Sequence, residues 1–367
     1  MTAPERPNIM PCGQALPGHV GLAPLTNTQS NPDGTLGLDE LRWLEARARG
    51  GFRWVSTCAA YVSDEGKAWE GQLGIARTEH LPGLTQLADT LRGHGALSVV
   101  QLHHAGTRAT LCPTTPLSAG ATPASSTGRG SRAATAADLR RVTADFVAAA
   151  ERAERAGFRG VEIHGANGYL FTQFLAPDSN PRTDAYGGPI EGRARFLREV
   201  TRAVRAAVSP GFAVGVRLSP IDVWEPRGLT LADSLQVGAW LAEDGADFIH
   251  LSLADARCAA PEAPGGPAVV SAFRDALPAP VALLVAGGLW TAQDVDEARG
   301  LGADVAMLGR AAMIHPDWPK RAHRAGWQPT RTPWEPEALA AAAAGPALLR
   351  YASRFPGMLT TSPPPRA

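Results

Sequence analysis

The feature that most limits what this chain can become is a rhythm. Eight short apolar runs, rich in Val, Ile, Leu and Phe, alternate with longer segments of helical period. The runs span 19–23, 52–57, 97–102, 158–163, 212–218, 246–251, 280–285 and 304–308. The helical segments span 38–49, 83–94, 136–155, 190–208, 231–243, 267–277, 292–299 and 316–325. Asp39, Thr230 and Thr291 stand where N-caps belong, and Gly50, Gly157, Gly245 and Gly326 where helices end. Near-continuously apolar strands, each followed by a helix, imply a parallel sheet buried on both faces. Eight such units close into a (β/α)8 TIM barrel, an α/β fold of about 250 residues plus insertions. An open doubly wound sheet would place GxGxxG between a strand and a helix, and no run here is followed by that spacing.

The reading is therefore one barrel domain over 1–367, with its core at about 19–326 and a C-terminal extension over 327–367. A long Thr/Ser/Pro/Gly-rich excursion, 107–132, follows the third strand. Within the extension, 348–359 is apolar enough to dock, Arg350 or Arg354 could reach a neighbouring subunit's site, and the last residues read as disordered.

Composition enters mainly to exclude. Formal net charge is zero, which argues against a sequence-independent grip on nucleic acid or an anionic membrane. The four cysteines, Cys12, Cys58, Cys112 and Cys258, share no CxxC spacing, which disfavours a disulfide framework, a thiolate metal site or an iron–sulfur cluster. No metal is expected. With no apolar run of signal-peptide or membrane-span length, the expectation is a cytoplasmic protein, monomeric or homo-oligomeric.

Chemistry gathers where a barrel's strands end. The stretch VEIHGANGYLFTQFLAPDSNPRTDAYGGPIEGRAR (161–195) runs from a short apolar strand into His164, Asn167 and Tyr169, then into a long polar connection. Connections beyond about 12–15 residues are usually functional or disordered. Strand one ends in Ala23-Pro24-Leu25-Thr26, strand two at Cys58-Ala59-Ala60-Tyr61, strand three at Gln101, His103 and His104, and strand five at Arg217. Gly287-Gly288 and Gly309-Arg310 close strands seven and eight. Barrels often hold a phosphate there, on backbone N–H groups and a helix N-terminus, and Arg310 adds a guanidinium fork. The amide of Gln101 suits a heterocycle edge, and Arg217 suits negative charge developing on a bound ring. His103 and His104 lie side by side and point to opposite faces; one reads as mouth lining and the other as packing. Trp69, Trp224 and Trp290 are further candidates for lining a pocket.

HGANGYLFTQFLAPDSNPRTDAYGG with EGRARF resembles the signature of the old yellow enzyme family of FMN-dependent ene-reductases. APLTN, DELRWLEARARGGF, VVQLHHAG, VGVRLSP, GLTLADSL and LGRAAM follow the family's order, from about Leu22 to Asp317. The family's HAGR motif stands here as His104-Ala105-Gly106-Thr107-Arg108, with Thr107 interposed, and Glu191-Gly192-Arg193 replaces Glu-Asn-Arg.

The resemblance implies bound FMN, reduced by NADPH or NADH and reoxidised by an activated alkene in a ping-pong cycle. It would place the backbone of Ala23, Pro24 and Leu25, the Thr26 hydroxyl and Ala59 beside the flavin ring. Gln101 would meet the pyrimidine edge and Arg217 the N1–O2 side. The phosphate would rest on Gly287, Gly288, Gly309 and Arg310. His164 and Asn167 match the pair that holds the carbonyl oxygen of an α,β-unsaturated substrate, and Tyr169 matches the proton donor. Two other functions stay open: an FMN-dependent dehydrogenase acting on an amine or saturated carbonyl compound, and a flavin-binding module without turnover.

Overall fold

The computed structural model describes residues 9–122, 129–221, 229–262 and 264–360. Along the chain the elements are β1 (Val20–Leu22), α1 (Leu38–Arg49), β2 (Trp54–Tyr61), α2 (Leu81–Gly93), β3 (Leu97–His103), β4 (Leu117–Ser118), β5 (Arg132–Ala133) and α3 (Ala136–Arg155). There follow β6 (Gly160–Gly165), α4 (Leu170–Leu175), α5 (Ile190–Ala207), β7 (Ala213–Leu218), α6 (Leu231–Glu243), β8 (Phe248–Ser252), α7 (Val269–Ala276), β9 (Ala282–Ala286), α8 (Ala292–Gly300) and β10 (Val305–Leu308). The chain closes with α9 (Arg310–Ile314), α10 (Trp318–Arg321), α11 (Pro336–Ala341) and α12 (Pro346–Ala352).

Eight of the strands close into a barrel in the order β1-β10-β9-β8-β7-β6-β3-β2, every pairing parallel. These are the eight expected strands, with ends shifted by a few residues. Strand alternation divides the side chains into two cores. Val161, Ile163, Val214 and Val216 face the helices, while Trp54, Val99, Phe248 and Leu284 fill the barrel. Trp54 and Phe248 meet edge to face at 5.1 Å, plugging the interior. By the same parity Gln101, His103, Glu162, His164, Arg217, His250 and Ser252 point inward, nearer the C-terminal ends of their strands. A dry plug below and polar groups above make one end of the barrel chemically competent.

Where the elements differ from expectation the causes are local. The N-cap of α1 is Gly37, and Asp39 sits in the first turn; a Cβ at Gly37 would lie 1.9 Å from the Gln29 carbonyl oxygen, so backbone approach selects glycine there. Thr230 and Thr291 do cap α6 and α8, accepting from the Asp233 and Asp294 N–H groups. The expected helix at 316–325 shortens to α10, so Gly326 lies beyond a helix end. The excursion after β3 is tied down by the short β4–β5 pair. The polar connection after Tyr169 begins with a helical turn and a half, α4, whose residues are all buried.

The extension docks on its own barrel. Arg47 on α1 is fully buried and donates to the carbonyl oxygens of Trp43, Ala312, Met313 and Ala342, tying α1 to α9 and the end of α11. Leu348 is buried, the Gly345 N–H donates to Gln29 Oε1 at 2.7 Å, and Thr28 Oγ1 donates to the Ala347 carbonyl at 3.2 Å. Arg350 and Arg354 are exposed; the residue of this segment that turns to the barrel mouth is Tyr351. Trp224 and the Pro-Pro-Pro end lie outside the described residues. No described helix is long and apolar enough to cross a membrane.

Candidate active site

The mouth is built from strand ends in register. Gln101, Glu162 and Gly215 are lateral neighbours, as are His164, Arg217 and His250 one layer higher. Glu162 is fully buried; its carboxylate accepts from Gln101 Nε2 at 2.6 Å and pairs with His250 Nδ1 at 2.8 Å. Burial pushes the Glu162 pKa up, but His250 and Arg217 outweigh it and hold the group below its ordinary value. Burial pushes His250 down against the pull of Glu162. The pair is thus a carboxylate accepting the Nδ1–H of a neutral imidazole.

With Gln101 Nε2 committed to Glu162, its amide still offers an acceptor oxygen and a second N–H. Arg217 donates to the Ser252 hydroxyl at 3.1 Å and to the Pro24 carbonyl at 3.5 Å. Its Nε is buried without a partner among the described residues. An unpaired buried donor costs about 1–3 kcal/mol, so a ring acceptor at this position would complete the arrangement.

The orientations of His164 and Asn167 are both determined by their surroundings. The Ala166 N–H donates to His164 Nδ1 at 3.3 Å, so the neutral ring carries its proton on Nε2. Burial first, then His103 and Arg217, push His164 well below its ordinary pKa; it stays neutral and donates. The Ser219 and Ser252 hydroxyls both donate to Asn167 Oδ1 at 3.2 Å, which leaves the Asn167 NH2 as the outward group. Asn167 adopts φ 60° and Gly168 φ 72°, a left-handed turn that asparagine tolerates better than most residues. It is followed at once by Tyr169.

Tyr169 lies 5.1 Å from His164 and 4.4 Å from His103, both edge to face. Arg108 sits over its ring, the guanidinium carbon 4.5 Å from the centroid. Burial raises the Tyr169 pKa, opposed by Arg108, so the group is a neutral phenol.

His103 is the mouth-lining histidine. Gln72 takes the Ala68 N–H on its Oε1 and turns its NH2 to the Ala59 carbonyl and to His103 Nδ1. That leaves the His103 proton on Nε2, buried without a partner among the described residues. His104 packs outside the mouth, accepting from the Gly106 N–H and lying 3.5 Å from Glu65.

A 270 Å³ cavity adjoins this cluster, lined by Ala23, Leu25, Arg217, Gly287, Gly288, Gly309, Arg310, Trp290 and neighbours. Gly288 has φ 63°, where a side chain is strained, and a Cβ at Gly309 would lie 3.6 Å from Leu25, which also lines the cavity. Arg310 and Arg331 flank Trp290 at 5.6 and 4.9 Å. Ala59 pairs in register with Gln101, and burial raises the Tyr351 phenol, opposed by the Thr26 side chain nearby. Trp69 stands 5.6 Å from His103 and 6.5 Å from Tyr169.

Gln101, His103, His164, Asn167, Tyr169 and Arg217 thus share one mouth, and Ala23, Leu25, Gly287, Gly288, Gly309 and Arg310 line the adjoining cavity; His104 lies outside the mouth. Sequence reasoning missed Gln72, Glu162, Ser219, Ser252, His250, Arg108 and Tyr351. Glu162 was findable, since it alternates with His164 on a strand whose other face is apolar. Ser219 and Ser252 were findable as hydroxyls at the ends of β7 and β8.

A family model described as NADH:flavin oxidoreductase / NADH oxidase matches residues 15–326. The chain is 33% identical over 316 residues to the probable NADH-dependent flavin oxidoreductase YqiG of Bacillus subtilis, covering 83% of this chain and 84% of that protein. NADH:fumarate oxidoreductase of Klebsiella pneumoniae is 30% identical over 88% of this chain, which spans only 36% of that longer relative. Among solved structures, morphinone reductase in complex with tetrahydroNAD superposes with a TM-score of 0.76 at 26% identity, over 90% of this chain and 92% of that one. The old yellow enzyme homologue from Zymomonas mobilis shares the fold, with a TM-score of 0.72 at 24% identity over 84% and 89% of the two chains.

Proposed function

The chain belongs to the NADH:flavin oxidoreductase / NADH oxidase family, and from that premise we propose that it reduces the activated C=C bond of α,β-unsaturated carbonyl compounds. It is an NAD(P)H-dependent flavin oxidoreductase of the old yellow enzyme type, and FMN is its flavin. The barrel core, about 19–326, and the extension over 327–367 act in this reading as one FMN-binding unit.

The residues fit that group. Gln101 retains one donor and one acceptor for an imide edge, and Arg217 retains a buried N–H unpaired among the described residues. Gly287, Gly288, Gly309 and Arg310 would hold the phosphate, Ala23–Leu25 and Thr26 the ring, and Ala59 would leave room beside it. Hydride chemistry is supplied by bound FMN, charged by NADPH or NADH in one half-reaction and discharged in the next.

The observation that carries the proposal is the polarity of the donors. His164 Nε2–H and the Asn167 NH2 are each turned outward by a hydrogen bond made on the other side of the group. Two neutral donors converging beside a phenol suit a carbonyl oxygen that gains negative charge as hydride reaches the β-carbon, so they stabilise the transition state more than the ground state. Tyr169 would then protonate the α-carbon. Cytoplasmic location and cyclic enones as substrates belong to the same reading.

Visible absorption under anaerobic conditions tests it. The flavin spectrum is expected to bleach with NADPH and to return with cyclohexenone. Tyr169→Phe should slow that return about 100-fold or more while bleaching proceeds. Bleaching without return on any enone, but with turnover of amines through an artificial acceptor, would move the function to dehydrogenation. A flavin that neither bleaches nor returns would mark a binding module.

A further inference from the structure

We propose that Arg108 is a positioning residue for Tyr169, bracing the turn that carries it and favouring its phenolate as the proton leaves. The inference rests on the reading of Tyr169 as proton donor.

Arg108 ends the short turn Gly106–Arg108 that follows β3. Its Nη1 donates to the Asn167 carbonyl oxygen at 2.7 Å, and its guanidinium carbon stands 4.5 Å from the centre of the Tyr169 ring. One side chain thus grips the backbone of the donor Asn167 and the face of the ring two residues on. The grip falls on the left-handed pair Asn167-Gly168, where the chain reverses and where backbone drift would move both functional groups together. This arginine is displaced by Thr107 from the spacing the family motif has.

The charge matters as much as the brace. The titratable groups facing Tyr169 are His103 on β3, His164 on β6, Arg108, and Tyr351 on α12. Burial keeps both histidines neutral, and burial keeps Tyr351 a phenol. Among the described residues Arg108 is therefore the cation against this ring. When the Tyr169 O–H bond breaks, the proton forms the new C–H bond at the substrate α-carbon and the electron pair stays on the phenolate oxygen. Solvent returns a proton before the next turnover. A guanidinium over the ring is attracted to the phenolate more strongly than to the phenol, so it lowers the cost of that step.

The test is anaerobic stopped-flow reoxidation of the reduced holoenzyme by cyclohexenone, in H2O and D2O. Arg108→Gln retains a donor for the Asn167 carbonyl without the charge; Arg108→Lys retains the charge. R108Q is expected to slow reoxidation roughly 10-fold or more with a larger solvent isotope effect, and R108K to recover most of the rate. In a Y169F background R108Q should add less than about twofold, because residues acting through one another are not additive. An R108Q penalty that persists in Y169F, or a reoxidation rate and isotope effect in R108Q equal to wild type, overturns the inference while Y169F remains slow. Y169F as fast as wild type overturns the proton-donor reading and this inference with it.

Discussion

His164 and Asn167 can donate because of groups that never meet a substrate. The Ala166 N–H occupies one ring nitrogen and two serine hydroxyls occupy the amide oxygen, so each side chain presents hydrogen where an oxygen would arrive. Replacing Ser219 and Ser252 together by Ala should let the Asn167 amide turn. A hydrogen bond of this kind is worth about 1 kcal/mol net, so KM for an enone should rise about fivefold in steady-state assays; an unchanged KM would show that the serines do not orient the amide. The residue types at strands three, four and five were legible in the sequence because polar groups closing apolar runs stand out. The polarity of Asn167 was not, because the hydroxyls that determine it, Ser219 after β7 and Ser252 on β8, lie far away in the chain.

At the scale of elements, legibility followed length and period. The amphipathic segments 38–49, 136–155 and 231–243 form α1, α3 and α6 over the same residues, since a 3.6-residue period sustained over three or more turns has one solution. Short elements were invisible: α4 is six residues, wholly buried, too short to display a helical period. That the extension would dock was legible in the apolar run 348–359, but its anchor was hidden, because Arg47 is one arginine among many. Arg47→Met should leave the buried Ala312, Met313 and Ala342 carbonyls without that donor, at about 1 kcal/mol or more each. The expected result is a lower melting temperature and faster proteolysis after residue 327; a wild-type melting curve would show that the extension is held by its apolar contacts alone.

The whole molecule carries its polar groups inside the barrel, and this shapes its response to acid. His103, His164 and His250 are pushed below the ordinary value of 6.5 by burial. Below that pH the unfolded chain takes up protons that the native histidines refuse, so stability is full above about 6.5 and falls as pH drops. Glu162 has no effect in this range, because its contribution is lost only below the carboxylate range; Glu40, raised by burial, opposes the trend. Each histidine held neutral costs about 1.4 kcal/mol for one pH unit below 6.5. The melting temperature of wild type should therefore fall more between pH 7 and 5.5 than that of His103→Phe, and equal slopes would exclude His103 as a contributor.

The seating of α12 has a kinetic corollary. Tyr351 meets Thr26, Ala347 meets Thr28 and Gly345 meets Gln29 within a single polypeptide, so the roof of the mouth travels with its own floor. A mouth completed within one polypeptide would have no association step to lose on dilution. Turnover per molecule should stay constant from micromolar to nanomolar enzyme, whatever assembly forms at high concentration; activity that decays on dilution and returns on concentration would mean that a second chain completes the mouth after all.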